Sequence, residues 1–331
     1  MLTEPFAVII PLYMGVLFIL GLLMGSFLNV VAYRVPNNVS ILRPPSTCPG
    51  CGKTISPRDN VPLLGWLLLR GKCRNCRCGI PIRYPLVELA TGILWAVTGY
   101  KIALLDLGFF TNIAVGLVWL AFVSTVVVTF LTDYDYMIIL DEISLGGMAA
   151  SLILAPFLPY LHHAHSPYEF LRYHALLASF MPNSPPWMHS LASALLGVAV
   201  GVGFSLVIYY LGNLAFKKQI AAAQEEDPEI DSALGLGDVK LMGFYGALFG
   251  WLSVFFVYIV GSLLGVVIGS SIKLLKGDPQ GYTGWEGVRA RWSSSTSAIP
   301  FGPFLVAAAL LYLFIGDKAS LWLYYAQNVG P

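Results

Sequence analysis

The chain has 331 residues, 57% of them apolar and only 11% charged, with a formal net charge of +1 at pH 7. Soluble domains carry about a quarter charged residues, so this composition excludes an ordinary soluble protein and points to a polytopic membrane protein. No nucleic-acid partner is expected.

A bilayer-spanning helix takes about 20 mostly apolar residues. Such runs stand near 6–31, 86–105, 108–132, 138–160, 188–215, 236–250, 251–275 and 300–325. Lipid leaves only helices and closed barrels as spanning structures, and the runs lack barrel alternation. The expected fold is therefore all-α, with about eight transmembrane helices. The run at 236–250 is short, and its boundary with the next falls near Gly250. The opening stretch "MLTEPFAVIIPLY" has no basic n-region and no small-residue cleavage site, so it reads as a retained helix rather than a signal peptide.

Between the first two runs lies the one sizeable non-membrane segment, 34–85. It carries two CxxC pairs, Cys48 with Cys51 and Cys73 with Cys76, separated by 21 residues, with Cys78 left over. Two such turns suit a tetrahedral four-thiolate zinc site with no open position for water, whose role is to fold a small domain. Disulfides are the competing reading, and an odd cysteine count on a reducing side argues against them. Cys78 reads as a free thiol or as a substitute for Cys76.

Further along, "HHAHSPYEF" places His162, His163 and His165 in an outer loop, read as an ordinary polar loop. The carboxylates from Glu225 to Asp231 read as a solvated cytoplasmic loop, and "RWSSSTSAIP" as a linker. With the N-terminus outside, all of the 19 lysines and arginines except Lys101, Arg172 and Lys318 fall on the cytoplasmic side, as the positive-inside rule asks.

Acids at membrane edges are costly and are candidates for function. They occur in "FLTDYDYMIILDEIS", where the 108–132 run ends, and in "GLGDVK", where the 236–250 run begins. Asp133 and Asp238 are 105 residues apart in sequence, yet this topology puts both at the cytoplasmic face. Two readings stand on spacing alone: solvated helix caps, or a dyad in which two close carboxyls share a proton, one acting as base on a water while the other donates to a carbonyl. Gly235 and Gly237 would allow positive φ or close backbone approach before Asp238. Lys240 is expected to point away from Asp238 and snorkel toward headgroups.

At these residues the chain resembles the type IV prepilin peptidase family, membrane aspartyl proteases that process prepilins and type II secretion pseudopilins. The matching stretches are "GSFLNVVAYRVP", "CPGCGKTISPRDNVPLLGWLLLRGKCRNC", "IRYPLVE", "DYDYMIILDEISL", "GLGDVKLM" and "IPFGPFL", in the family's order. GxGD alone is shared with presenilin-like proteases; the cysteine segment followed by RYPLVE makes a bacterial prepilin peptidase the better fit.

The resemblance implies Asp133 and Asp238 as the catalytic pair, with Asp135 the rival to Asp133, on nearly the opposite side of a helix. Leu140 stands where the family usually has proline. The resemblance also implies cleavage after a glycine that ends a short basic leader. N-methylation of the exposed residue, often phenylalanine, follows, with S-adenosylmethionine as donor. The region of Gly25, Asn29, Arg34 and Glu88 is the expected donor site, although Asn29 and Glu88 equally suit interhelical hydrogen bonds. The domains become a first transmembrane helix (1–33), a cytoplasmic zinc domain bearing on methyl transfer (34–85) and a transmembrane aspartyl peptidase region (86–331), in a bacterial inner membrane with the active site facing the cytoplasm. The competing class is a zinc-stabilised membrane scaffold or a proton-coupled transporter. A transporter should show an internal repeat or paired broken helices, and neither is visible.

Overall fold

The computed structural model describes residues 4–105, 107–159, 161, 185–226, 232, 234–275 and 301–328. His162, His163 and His165, the acids from Asp227 to Asp231, and the 291–300 linker lie outside the described residues. The chain divides into two compact units, 1–132 and 133–331. Among the described residues there are helices and no strands, only two isolated bridges, Thr47 with Thr54 and Lys72 with Gly79.

Five helices are long and apolar enough to cross a membrane: α1 (Glu4–Arg34), α3 (Arg83–Ala103), α4 (Phe109–Tyr136), α6 (Pro186–Ala215) and α9 (Trp251–Leu275). The chain is a multi-pass membrane protein. Large apolar side chains on these helices stay uncovered, among them Leu12, Phe110 and Leu214. In water that exposure would oppose folding; in lipid it costs nothing. The predicted runs near 138–160 and 236–250 form α5 (Asp141–Leu154) and α8 (Leu236–Phe249), each of 14 residues. At about 1.5 Å per residue, 14 residues reach about 21 Å, short of the roughly 30 Å hydrocarbon core. The last run is covered by α10 (Gly302–Asn328), whose apolar described part is Gly302–Gly316.

In the first unit, α1 packs along α3. Gly21 and Gly25, four apart on one face of α1, meet Trp95, Gly92, Glu88 and Thr91 so closely that an added Cβ at Gly25 would lie 2.8 Å from the Glu88 backbone. This is the small-residue seam that lets membrane helices approach without a hydrophobic driving force. The cysteine segment is tied to that pair. Arg34 donates to the carbonyls of Ser40, Ile41 and Pro44 at 2.7–3.1 Å, holding the turn after α1. The short helix α2 (Leu64–Leu68) is anchored where the Leu63 N–H donates to Glu88 at 2.8 Å, and the Trp66 indole donates to the Ile80 carbonyl at 3.0 Å.

In the second unit, α8 is the central element. From Asp238 to Phe249 every residue except Lys240 is buried, with α5, α6, α9 and the short α7 (Lys217–Glu226) arranged in the same unit and the first three packed against α8. Gly197 of α6 lies against Gly246 of α8 so tightly that a Cβ on either would strike the other's carbonyl oxygen. Replacing Gly197 by valine would force these helices apart. Gly250, with φ of 87°, ends α8 and starts α9, a left-handed residue that favours glycine. A hydrogen bond of 2.7 Å from the Tyr258 hydroxyl to Ser205 joins α9 to α6. Tyr312 of α10 takes ring contacts from Phe249 and Phe256.

Candidate active site

Asp133 lies in the last turns of α4. The helix stops four residues later at Met137, whose φ is 55° and whose N–H still reaches the Asp133 carbonyl. An extended connector, 138–140, then leads into α5. Leu140 has φ of −67° and ψ of 129°, the backbone a proline would adopt, so the departure from the family's proline leaves the local path unchanged.

Asp238 lies in the first turn of α8, where the unpaired N–H groups of the helix start favour a negative charge. Gly235 and Gly237 do not use left-handed backbone: Gly235 has φ of −67° and Gly237 is helical. They serve close approach instead. A Cβ on Gly237 would press on Ile139 of the connector at 3.0 Å, and one on Gly235 would lie 3.4 Å from an Asp238 carboxyl oxygen.

Both carboxyls are buried, 6% exposed for Asp133 and 7% for Asp238, and they lie within electrostatic reach of each other. Among the described residues the buried acids are these two and Glu88. Glu88 is in the first unit and accepts from the Leu63 N–H, so Asp133 and Asp238 are the buried acids of the second unit among the described residues. Oδ2 of Asp133 and Oδ1 of Asp238 are buried without a hydrogen-bond partner among the described residues. Such groups are rare because leaving them unmet costs about 1–3 kcal/mol each. Asp135, the sequence rival, is half-buried on another side of the same turn.

A third element was not anticipated from the sequence. The start of α10 faces Asp133: Gly302 offers its backbone N–H to the carboxyl, and a Cβ at that position would collide with Oδ2. The preceding Phe301 stacks on Tyr258 with ring centroids 6.4 Å apart, and Tyr258 and Tyr245 both lie within reach of the Asp238 charge. The signal was present in "IPFGPFL", a glycine between an aromatic and a proline, but nothing in its spacing ties it to residue 133. Lys240 pairs with Asp141 at 2.6 Å, a partner not anticipated from the sequence, clamping the first turn of α8 to the first turn of α5.

In the first unit the sulfurs of Cys48, Cys73, Cys76 and Cys78 all lie within 4.8 Å of one another. The two bridges, Thr47 with Thr54 and Lys72 with Gly79, close the two loops that carry them, and a bidentate pair between Arg74 and Asp59 at 2.6–3.1 Å pins the second loop. Cys51 stands beside Cys48 and Cys76 but outside that mutual set. The neighbouring Cys78 pulls the Cys48 thiol down to about 6, toward the thiolate that binds metals. Of the residues expected at the donor site, Gly25 is in the α1–α3 seam, Asn29 donates to the Tyr84 carbonyl at 3.3 Å, Arg34 holds the turn after α1 and Glu88 holds Leu63.

Two family profiles match the chain: the bacterial peptidase A24 N-terminal domain over residues 19–102 and the type IV leader peptidase family over residues 119–270. Among similar proteins is a prepilin leader peptidase/N-methyltransferase of Myxococcus xanthus, 30% identical over 94% of this chain and 92% of the relative. Proteins of the same name from Aeromonas salmonicida, 28% identical over 94% of each chain, and Bacillus subtilis, 27% identical over 92% of this chain and 95% of the relative, are also similar. No solved structure matches.

Proposed function

The chain belongs to the type IV leader peptidase family, and on that premise we propose that it removes prepilin leaders with the pair Asp133 and Asp238 and then N-methylates the new N-terminus. The enzyme is an aspartic endopeptidase of the membrane. The observation that supports the catalytic assignment is two buried carboxyls within electrostatic reach of each other, in the last turns of α4 and the first turn of α8, each with an oxygen unmet among the described residues.

The chemistry follows from that arrangement. A water held between the carboxyls loses its proton to the ionised one as its oxygen attacks the scissile carbonyl carbon. The protonated partner gives its proton to the carbonyl oxygen, so no isolated oxyanion forms. Collapse of the tetrahedral diol breaks the C–N bond, and the proton gained by the base passes to the leaving nitrogen. No acyl-enzyme is needed. Backbone groups of Gly302 and Gly235 hydrogen-bond Asp133 and Asp238 respectively, and the Lys240–Asp141 pair ties α8, which carries Asp238, to α5. A peptide bond inside a regular helix has its carbonyl engaged, so the substrate must be unwound where it is cut. A glycine at the cleavage point, just before the hydrophobic helix, makes that unwinding cheap. Prepilins and the related secretion pseudopilins are the substrate class, and the distribution of lysine and arginine supports a bacterial inner membrane with the dyad at the cytoplasmic surface.

For the metal, the cysteine cluster fits zinc. Tetrahedral zinc–thiolate bonds of about 2.3 Å place sulfurs about 3.8 Å apart, and Cys48 lies 3.7 Å from Cys76 and 3.3 Å from Cys78. When bound, the ion supplies folding energy to the 34–85 segment. For the methyl donor, S-adenosylmethionine, the proposed region is the α1–α3 seam around Gly25, Asn29, Arg34 and Glu88. The contacts of these residues are internal to the unit, so they build the seam, and a donor role is a matter for binding measurements. The test of the whole assignment is a synthetic prepilin in detergent with S-adenosylmethionine: loss of the leader mass, then a gain of one methyl group on the mature product. An uncut substrate would reject the peptidase, and a cut but unmethylated one would reject methyl transfer.

A further inference from the structure

The short helix α2 lies outside the membrane spans, yet it presents three large apolar side chains to its surroundings. Leu64, Leu67 and Leu68 share one face at spacings of three and four, are 57–79% exposed, and follow an exposed Val61 one turn earlier. The other face is already used: Gly65 lies against the Asp59 carbonyl, and the Trp66 indole donates to the Ile80 carbonyl. On a membrane span such leucines face lipid; outside one, an apolar patch with a polar rim marks a docking surface. The rim here is basic. Residues 34–85 carry nine lysines and arginines against the single acid Asp59, and Arg70 and Lys72, just after α2, are exposed. A four-thiolate zinc centre, about −2 in charge, leaves the segment positive. We propose that the leucine face of α2 and its basic rim dock on the anionic phospholipid surface of the membrane that the chain spans.

The height of α2 selects lipid as the occupant. At the start of α2 the Leu63 N–H donates at 2.8 Å to Glu88, in the second turn of α3. Side chains on a helix lean toward its N-terminus, so that carboxyl stands near the level of Tyr84, one turn earlier. Tyr84 in the opening turn of α3 and Tyr33 in the closing turn of α1 are both exposed, and such rings collect at the headgroup level of a bilayer. α2 therefore begins at the plane of the headgroups. There its leucines enter the acyl boundary while Arg70 and Lys72 meet lipid phosphates.

This inference stands apart from the peptidase and methyl-transfer assignments. The test uses the full-length protein in nanodiscs, which are open on both faces, so the result does not depend on orientation. Leu67→p-benzoylphenylalanine is irradiated in discs containing phosphatidylglycerol, and the adduct is identified by mass spectrometry. A phospholipid adduct is the expected result; an adduct on protein, or none, overturns the proposal. Because that variant can misfold, hydrogen exchange of the 64–69 amides is also measured in wild-type protein. A basic residue at an anionic surface is worth about fivefold, so Arg70 and Lys72 together slow this exchange about 25-fold in phosphatidylglycerol discs relative to phosphatidylcholine discs. The double variant Arg70→Gln with Lys72→Gln loses that difference. Equal exchange of the wild type in the two kinds of disc overturns the proposal.

Discussion

At the scale of single residues, the site depends on glycines more than its motifs suggest. Gly302 leaves no volume between α10 and the Asp133 carboxyl. Gly302→Ala should therefore displace that carboxyl by about 1 Å and lower cleavage by about 10²-fold, the cost of such a misplacement, while the protein stays folded; a leader-cleavage assay beside a thermal melt checks both. Asp133 and Asp238 were legible in the sequence because acids at the edge of apolar runs are conspicuous. Gly302 was not, because a residue that works by its missing side chain leaves no chemical signal. The left-handed backbone foreseen for Gly235 and Gly237 is not used. What the sequence conveyed was their smallness, which serves the approach of Ile139 to Gly237.

At the scale of elements, the central feature is a short helix. α8 is buried nearly throughout and begins with the acid, so its position sets that of Asp238. Two contacts fix it: the glycine seam with α6, and the Lys240–Asp141 pair with α5. The pair is partly exposed and, like most such pairs, adds little stability; its effect is orientation. Lys240→Asp should cut turnover several-fold with KM little changed, and the double change Lys240→Asp with Asp141→Lys should restore it. Failure of the swapped pair to recover activity would show that the contact does not position the dyad. Helix ends and the break at Gly250 were readable from apolar runs and glycines. The pairing of Lys240 was not, since its partner lies 99 residues away in sequence and only packing of α5 on α8 brings them together.

At the scale of the whole molecule, the chain holds two compact units, one with the cysteine cluster and one with the acid pair. Stripping the metal should open residues 34–85 to protease, because binding energy at such sites, about 10–16 kcal/mol in small zinc domains, is folding energy; unchanged protease resistance after chelation would count against a structural ion. The membrane character, the cysteine segment and the two acid motifs were all visible in the sequence because each is a local pattern. The central claim is that Asp133 and Asp238 act as one catalytic pair, and the most direct measurement is leader cleavage of a prepilin by Asp133→Asn, Asp135→Asn and Asp238→Asn. The account predicts losses of about 10²–10⁴-fold in the first and third with Asp135→Asn near wild type. Substantial cleavage by either Asp133→Asn or Asp238→Asn would contradict it.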